Sequence, residues 1–187
     1  FSMNEVLLEP YGGQILGMSV SDTTMLTAIL AIGGLIGFSW ASRVLSRGTD
    51  PFYMASMGAL VGIPAFISIT LSAPLDLKVL FLLGTFLIGF GGGLFSHGTL
   101  TATMQLAPSD QRGLALGAWG AVQATAAGIA IGLGGVIRDL IVAIGATNWL
   151  PEGLIGPSTG YSFVYCLEIG LLIATIFSMT TLLPQKK

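Results

Sequence analysis

The chain has 187 residues, of which 53% are hydrophobic and 9% charged, with a formal net charge of −2 and a mean hydropathy of +0.86. An ordinary soluble domain carries about 25% charged residues, and a disordered chain has far less apolar surface, so both classes are excluded. The acidic balance also excludes nucleic acid as a partner, because such surfaces are basic. The composition predicts an all-α integral membrane protein.

Apolar stretches of membrane-spanning length follow one another along the chain. A spanning helix needs about 20 mostly apolar residues. Residues 1–20 contain Glu5 and Glu9 among apolar residues and are typical of the end of a helix whose start is missing. Five further spans are predicted, at 22–46, 51–73, 78–106, 110–143 and 160–183. We therefore predict a polytopic bundle of six helices, the first of them truncated.

The distribution of positive charge predicts the orientation of this bundle, because cytoplasmic loops are enriched in lysine and arginine. The residues predicted to share one side are Arg43, Arg47, Arg112, Lys186 and Lys187. The opposite side holds Lys78 and Arg138. We therefore expect the C-terminus to lie in the cytoplasm and the first helix to run outward.

Glycines recur in pairs that are four residues apart. The pairs are Gly13/Gly17, Gly33/Gly37, Gly58/Gly62, Gly89/Gly93, Gly113/Gly117 and Gly128/Gly132. This spacing aligns small residues on one helix face and lets helix backbones approach closely in lipid. We expect the helices to pack tightly.

Two carboxylates lie in the first predicted membrane helix, where burying a charged group costs free energy. Glu5 and Glu9 are four residues apart, so they share a face of the first helix. Glu9 lies about 11 residues, or roughly 16 Å, before the expected outer end of that helix, which is near mid-membrane. An ionisable residue at this depth is a functional hypothesis by default.

The single histidine, His97, lies in a glycine-rich stretch of the fourth helix and forms a polar stripe with Thr101 and Gln105. A neutral imidazole can coordinate a metal through one nitrogen while a hydrogen bond orients the other. The alternative is a histidine that is hydrogen-bonded by a neighbouring helix.

A third intramembrane carboxylate, Glu168, lies in the last predicted span. We expect it to pair with Arg138 or with polar head groups, and we expect Arg138 to pair with Asp139 or across helices. The sequence has no nucleophile elbow and no phosphate-binding glycine loop. We therefore do not expect an enzyme.

Two loops resemble those of the major facilitator superfamily. The stretch GFSWASRVLSRG at 37–48 resembles the loop between the second and third helices of a six-helix half, with Ala41 in place of the usual acid. The stretch PSDQRGLALG at 108–117 resembles the segment that joins the fourth and fifth helices. The resemblance implies the C-terminal half of such a fold, preceded in a native chain of about twice this length by an N-terminal half.

Three other segments carry a closer resemblance. They are EVLLEPYGG at 5–13, FSHGTLTATM at 95–104 and GAWGAVQAT at 117–125. Together they resemble the PucC/LhaA family, the bacteriochlorophyll delivery branch of the superfamily, which assists the assembly of light-harvesting antennae. The resemblance implies bacteriochlorophyll as cofactor, and as partners the antenna polypeptides or a reaction-centre antenna complex, with membrane lipids around them. It also implies the photosynthetic intracytoplasmic part of the bacterial inner membrane as location.

The same resemblance suggests a pigment site. If the superfamily arrangement holds, Glu5, Glu9 and His97 converge on a central cavity. His97, or a carboxylate of Glu5 or Glu9, would then provide an axial ligand to the magnesium of bacteriochlorophyll. The other residues of the predicted pigment site are Phe95, Thr101 and Trp119.

Two other functions stay open at this point. One is a proton-coupled secondary transporter of a small or hydrophobic solute, with Glu5 and Glu9 as proton carriers. The other is a structural subunit of a photosynthetic complex, in which the glycine faces make contacts and His97 is a packing residue.

Overall fold

The structure, a computed structural model, describes residues 1–145 and 156–182. Its helices in chain order are α1 (Leu8–Gln14), α2 (Val20–Leu45), α3 (Pro51–Ser72), α4 (Lys78–Leu106), α5 (Arg112–Gly145) and α6 (Thr159–Leu182). No strand occurs within the described ranges. The helices α2 to α6 are long and apolar enough to cross a membrane. The predicted all-α, polytopic membrane bundle is confirmed.

Capping residues set the ends of the long helices. The Ser19 hydroxyl accepts from the backbone N–H of Asp22 at 3.2 Å, and the Asp22 carboxylate accepts from the backbone N–H of Ser19 at 3.2 Å, which forms a capping box at the start of α2. Asp50 accepts from the backbone N–H of Phe52 at 2.8 Å, and Pro51 occupies the first helical position of α3. The five long helices begin and end within two residues of the predicted spans.

The first helix is shorter than the predicted stretch 1–20. It covers Leu8–Gln14, and residues 3–7 form hydrogen-bonded turns before it. Gly17 follows the helix with a φ of +57°, a left-handed conformation that glycine adopts without steric cost. The interpretation of Gly13/Gly17 as a helix-packing pair is therefore wrong, because Gly17 is a turn residue outside the helix.

Helix α4 is the centre of the bundle. It packs on α2 along one side and on α3 along another, and α3 packs in turn on α6. Helix α5 contacts α6 and α4 more sparsely, and its buried residues among the described ones are Gly134 and Gly145. This arrangement leaves room between α4, α5 and α6.

Glycine pairs bring α2 and α4 into backbone contact. A Cβ on Gly33 or Gly37 of α2 would collide with the backbone of α4. Conversely, a Cβ on Gly89 or Gly93 of α4 would collide with the backbone of α2. The predicted close approach is confirmed for these two pairs, which face each other across one interface.

The glycine pairs of α5 behave differently. A Cβ added at Gly113, Gly117, Gly128 or Gly132 would have no neighbour within 4 Å among the described residues. By contrast, a Cβ at Gly58 of α3 would meet the backbone of Gly91 and Phe95 on α4. The spacing rule therefore predicts contact correctly for α2, α3 and α4. On α5 the close backbone contact among the described residues is made instead by Gly134, where a Cβ would meet the backbone of Met3.

Cationic residues lie at both ends of the bundle. Short connections make consecutive helices antiparallel, so one end, which we call the arginine end, holds Arg43, Arg47 and Arg112. The opposite end, the Lys78 end, holds Lys78 and Arg138. Lys186 and Lys187 lie outside the described residues. Which end faces the cytoplasm therefore stays a prediction.

Candidate functional site

A cavity of about 660 Å³ lies between α4, α5, α6 and the segment that precedes α1. Phe95 of α4 forms one wall, and Ala126 and Ala130 of α5 form another. Leu171 of α6 contributes to the third wall. Glu168 of α6 is the ionisable residue in an otherwise mostly apolar lining.

A second cavity of about 470 Å³ adjoins the first and extends between α4 and α5 as far as Gln123. The residues that line both cavities are Phe1, Ser2, Phe95, Ala126 and Ala130. Since they share these walls, we treat the two as one site and call it the Phe95 cavity. The sequence alone could not locate this cavity, because its existence depends on how far α5 stands from α4.

Phe95 and Trp119, both predicted pigment-site residues, lie close together. The Phe95 ring lies 6.1 Å from the ring of Phe1, centroid to centroid. The indole N–H of Trp119 donates to the hydroxyl of Thr99 at 3.3 Å, and Thr99 lies one helical turn beyond Phe95 on α4. Trp119 therefore ties α5 to α4 on the arginine-end side of the Phe95 cavity.

His97 lies against Phe38 of α2 and not against the residues that line the Phe95 cavity. Its ring lies 4.1 Å from the ring of Phe38 on α2, centroid to centroid, in an edge-on arrangement. Residues 95 and 97 are about 200° apart around a helix with 3.6 residues per turn, so His97 and Phe95 lie on opposite sides of α4. Thr101, one turn beyond His97, is half-buried. The Nδ1 atom of His97 is buried and has no hydrogen-bond partner among the described residues.

Glu5, in the turns before α1, and Glu9, on α1, lie beside the same groove on the outside of the bundle. Both are exposed and line a groove of about 330 Å³ against α2. The Thr27 hydroxyl of α2 donates to the Glu9 carboxylate at 3.1 Å. Thr27 and Phe38, the α2 neighbours of Glu9 and His97, are about 16 Å apart along the helix axis. The structure therefore does not bring Glu9 and His97 together, and the pigment-site role of these residues stays a prediction.

Glu168 is the buried carboxylate whose partners the sequence analysis missed. Its side chain is 2% exposed, and one of its oxygens accepts from the backbone N–H of Met3 at 2.8 Å. The other oxygen forms an ion pair with the terminal amino group of Phe1 at 3.0 Å. The expected pairing of Glu168 with Arg138 is wrong. The burial of Glu168, though not its partners, had a signal in the sequence, because Glu168 shares one face of α6 with Tyr161 and Tyr165, which are both buried.

Arg138 is satisfied at the Lys78 end of the bundle. It forms an ion pair with Asp139 at 2.6 Å, which confirms the expected pairing of these neighbours. It also donates to the Tyr161 hydroxyl at 3.1 Å, and that hydroxyl donates to Gln14 at 2.7 Å. This chain of hydrogen bonds connects α1, α5 and α6 on the Lys78-end side of the Phe95 cavity.

Comparison with known proteins connects the whole chain to one family. Residues 1–187 match the family model described as PUCC protein. The chain is 54% identical over 183 residues to Protein PucC of Cereibacter sphaeroides, covering 98% of this chain and 39% of that protein. It is 64% identical over 141 residues to Protein PucC of Rhodovulum sulfidophilum, covering 75% of this chain and 31% of that protein.

A more distant relative carries a different name. The Bacteriochlorophyll synthase 44.5 kDa chain of Rhodobacter capsulatus is 29% identical over 149 residues, covering 75% of this chain and 34% of that protein. The chain spans less than two fifths of the length of each of these relatives. No solved structure matches it.

Proposed function

Since the chain belongs to the PUCC protein family, we propose that it is part of a light-harvesting antenna assembly factor. In this proposal the protein binds bacteriochlorophyll within the photosynthetic intracytoplasmic membrane and delivers it to antenna polypeptides, with its C-terminus in the cytoplasm. The name of one relative, a bacteriochlorophyll synthase chain, supports the association with this pigment. The proposal assigns a role in binding and delivery and includes no catalytic step.

The Phe95 cavity is the observation that carries this proposal. Its larger part measures about 660 Å³, which is within the usual range of about 300–1,000 Å³ for small-molecule and cofactor sites. Phe95 lies 11 residues before the end of α4, or roughly 16 Å along the helix, so the cavity lies within the apolar spans. A mostly apolar space at this depth suits a hydrophobic ligand that arrives from within the membrane.

The residues of the cavity fit a flat macrocycle. Phe95 offers an aromatic face, while Ala126 and Ala130 occupy little space on the opposite wall. When bound, the pigment supplies a central magnesium ion that takes oxygen or nitrogen ligands. On the resemblance, His97, Glu5 and Glu9 remain proposed ligands, and Thr101 a proposed contact. A pigment held by His97 would lie on the α2 side of α4, outside the Phe95 cavity.

The full-length protein is expected to carry pigment. Purified from its native membrane in mild detergent, it should retain about one bacteriochlorophyll per polypeptide, because a buried apolar ligand dissociates slowly into water. Absorption spectra and solvent extraction, related to polypeptide concentration, measure this ratio. As a control, a tagged membrane protein of similar size is purified from the same membranes, which measures how much pigment is carried over without specific binding. A colourless protein would contradict the proposal.

A second function, proton-coupled secondary transport, is favoured by the groove between α1 and α2. Glu5 and Glu9 are exposed there, and Thr27 binds Glu9, so a proton could be exchanged beside a polar hydroxyl. This function requires solute uptake into vesicles to stop when an ionophore removes the pH gradient. An assembly factor that only binds and hands over pigment would keep its pigment under the same treatment.

A further inference from the structure

Two polar side chains, those of Ser96 and Gln123, line the smaller part of the Phe95 cavity and not the larger part. Ser96 lies on α4, ten residues before the end of this helix at Leu106, which is roughly 15 Å along its axis. Gln123 lies on α5, 11 residues after Arg112, the first residue of that helix, or roughly 16 Å. Both side chains therefore lie within the apolar spans, at about the same distance from the arginine end.

The hydrogen-bonding groups of these two side chains are unused. Among residues 1–145 and 156–182, neither the Ser96 hydroxyl nor the Gln123 amide forms a hydrogen bond. By contrast, the hydroxyls of Thr99 and Thr103, also on α4, donate to backbone carbonyls of their own helix. A polar group without a partner costs free energy at membrane depth, where water is scarce. The Gln123 amide has two N–H donors, so this end of the cavity favours a ligand that carries a hydrogen-bond acceptor.

The larger part of the cavity has an apolar end on the opposite side. The side chains that line it there are Leu133 and Ile137 of α5 and Leu167, Leu171 and Leu172 of α6. Ile137 lies 14 residues beyond Gln123 on α5, or roughly 21 Å toward the Lys78 end. Glu168, which also lines this part, is already paired with the terminal amino group of Phe1. This end therefore favours a long hydrocarbon group.

Bacteriochlorophyll has the same division into a polar and an apolar part. Its ring carries carbonyl groups at the rim, and a long hydrocarbon chain is attached to the rim through an ester. We propose that the Gln123 amide donates a hydrogen bond to a rim carbonyl of the pigment, and that the hydrocarbon chain lies along Leu133 and Ile137. This inference rests on the proposed function and deepens it, because it gives the pigment one orientation in the Phe95 cavity and names the residue that sets it.

The test uses the full-length protein, purified with its pigment from the native membrane. A hydrogen bond to a conjugated carbonyl lowers its stretching frequency, which resonance Raman spectroscopy measures on the bound pigment. The unaltered protein should show one rim carbonyl at the frequency of a hydrogen-bonded group. In Gln123→Leu, which removes the amide at similar volume, this band should return to the frequency of a free carbonyl. The affinity for added bacteriochlorophyll should fall roughly 2- to 12-fold, as expected for the loss of one hydrogen bond.

Two other variants and the unaltered protein make the outcome decisive. Gln105→Leu makes the same change at an exposed glutamine of α4 that lines neither part of the cavity, so the band should not move. A band that is unchanged in Gln123→Leu would overturn the inference, and so would a band that only Ser96→Ala shifts. If Gln123→Leu does not fold, free rim carbonyls in the unaltered protein would overturn the inference, and a hydrogen-bonded one that Ser96→Ala retains would support it. A protein without pigment would overturn the proposed function itself, which is a different result.

Discussion

Replacing Gly89 by leucine is expected to prevent the full-length protein from accumulating in a folded form. A Cβ at this position would collide with the carbonyl oxygen of Leu30 and lie 3.0 Å from the backbone nitrogen of Gly34. Both atoms belong to the backbone of α2, which cannot turn aside as a flexible side chain can. Overpacking a core costs about 1–3 kcal/mol and occasionally more, and here the whole contact between α2 and α4 must widen.

The apparent melting temperature in detergent and the monodisperse fraction on size exclusion measure this effect. Gly89→Ala should fall between the native protein and Gly89→Leu, since even one methyl group meets the backbone of α2. Gly170→Leu is the matched control, because Gly170 is an exposed glycine inside α6, and no atom of the described residues lies within 4 Å of an added Cβ. If Gly89→Leu were as stable as Gly170→Leu, the helices would not be as close as the structure has them.

The positions of the long helices could be predicted because apolar length is a strong signal in a membrane protein. The helix against which each of them packs could not be predicted. The spacing of Gly33/Gly37 and that of Gly128/Gly132 are the same, yet the first pair contacts α4 and the second has no neighbour in the described part of the chain. A four-residue spacing identifies a face, whereas the helix that covers this face is decided by the packing of the whole bundle.

The candidate site, like the helix packing, could be predicted only in part from the sequence. The motifs that contain Phe95 and Trp119 indicated two residues that lie close together, on α4 and α5. Whether His97 and Glu9 converge could not be inferred from the sequence. It depends on how each helix is rotated about its own axis and on where along α2 each residue makes its contact. The partners of Glu168 were hidden for another reason. They are the backbone N–H of Met3 and the terminal amino group of Phe1, which do not depend on the side chains of these residues, so no side-chain pattern marks them.

Replacing Ala130 by phenylalanine is expected to remove most of the bound pigment and leave the protein folded. Ala130 lines both parts of the Phe95 cavity, so a large side chain there would occupy the space that the two parts share. The ring would fill a cavity and not displace a packed neighbour, so stability should change little. A macrocycle would have to push the ring aside, and an overpacking cost of about 1–3 kcal/mol corresponds to a loss of affinity of roughly 5- to 150-fold.

Pigment per polypeptide after purification from the native membrane measures this loss, with the melting temperature recorded on the same sample. Ala174→Phe on α6 is the matched control, since Ala174 is exposed and lines neither part of the cavity. Equal pigment content in the two variants would contradict the Phe95 cavity as the binding site. Loss of pigment in Ala130→Phe at an unchanged melting temperature would locate the pigment between α4, α5 and α6, because a general loss of structure would lower both quantities together.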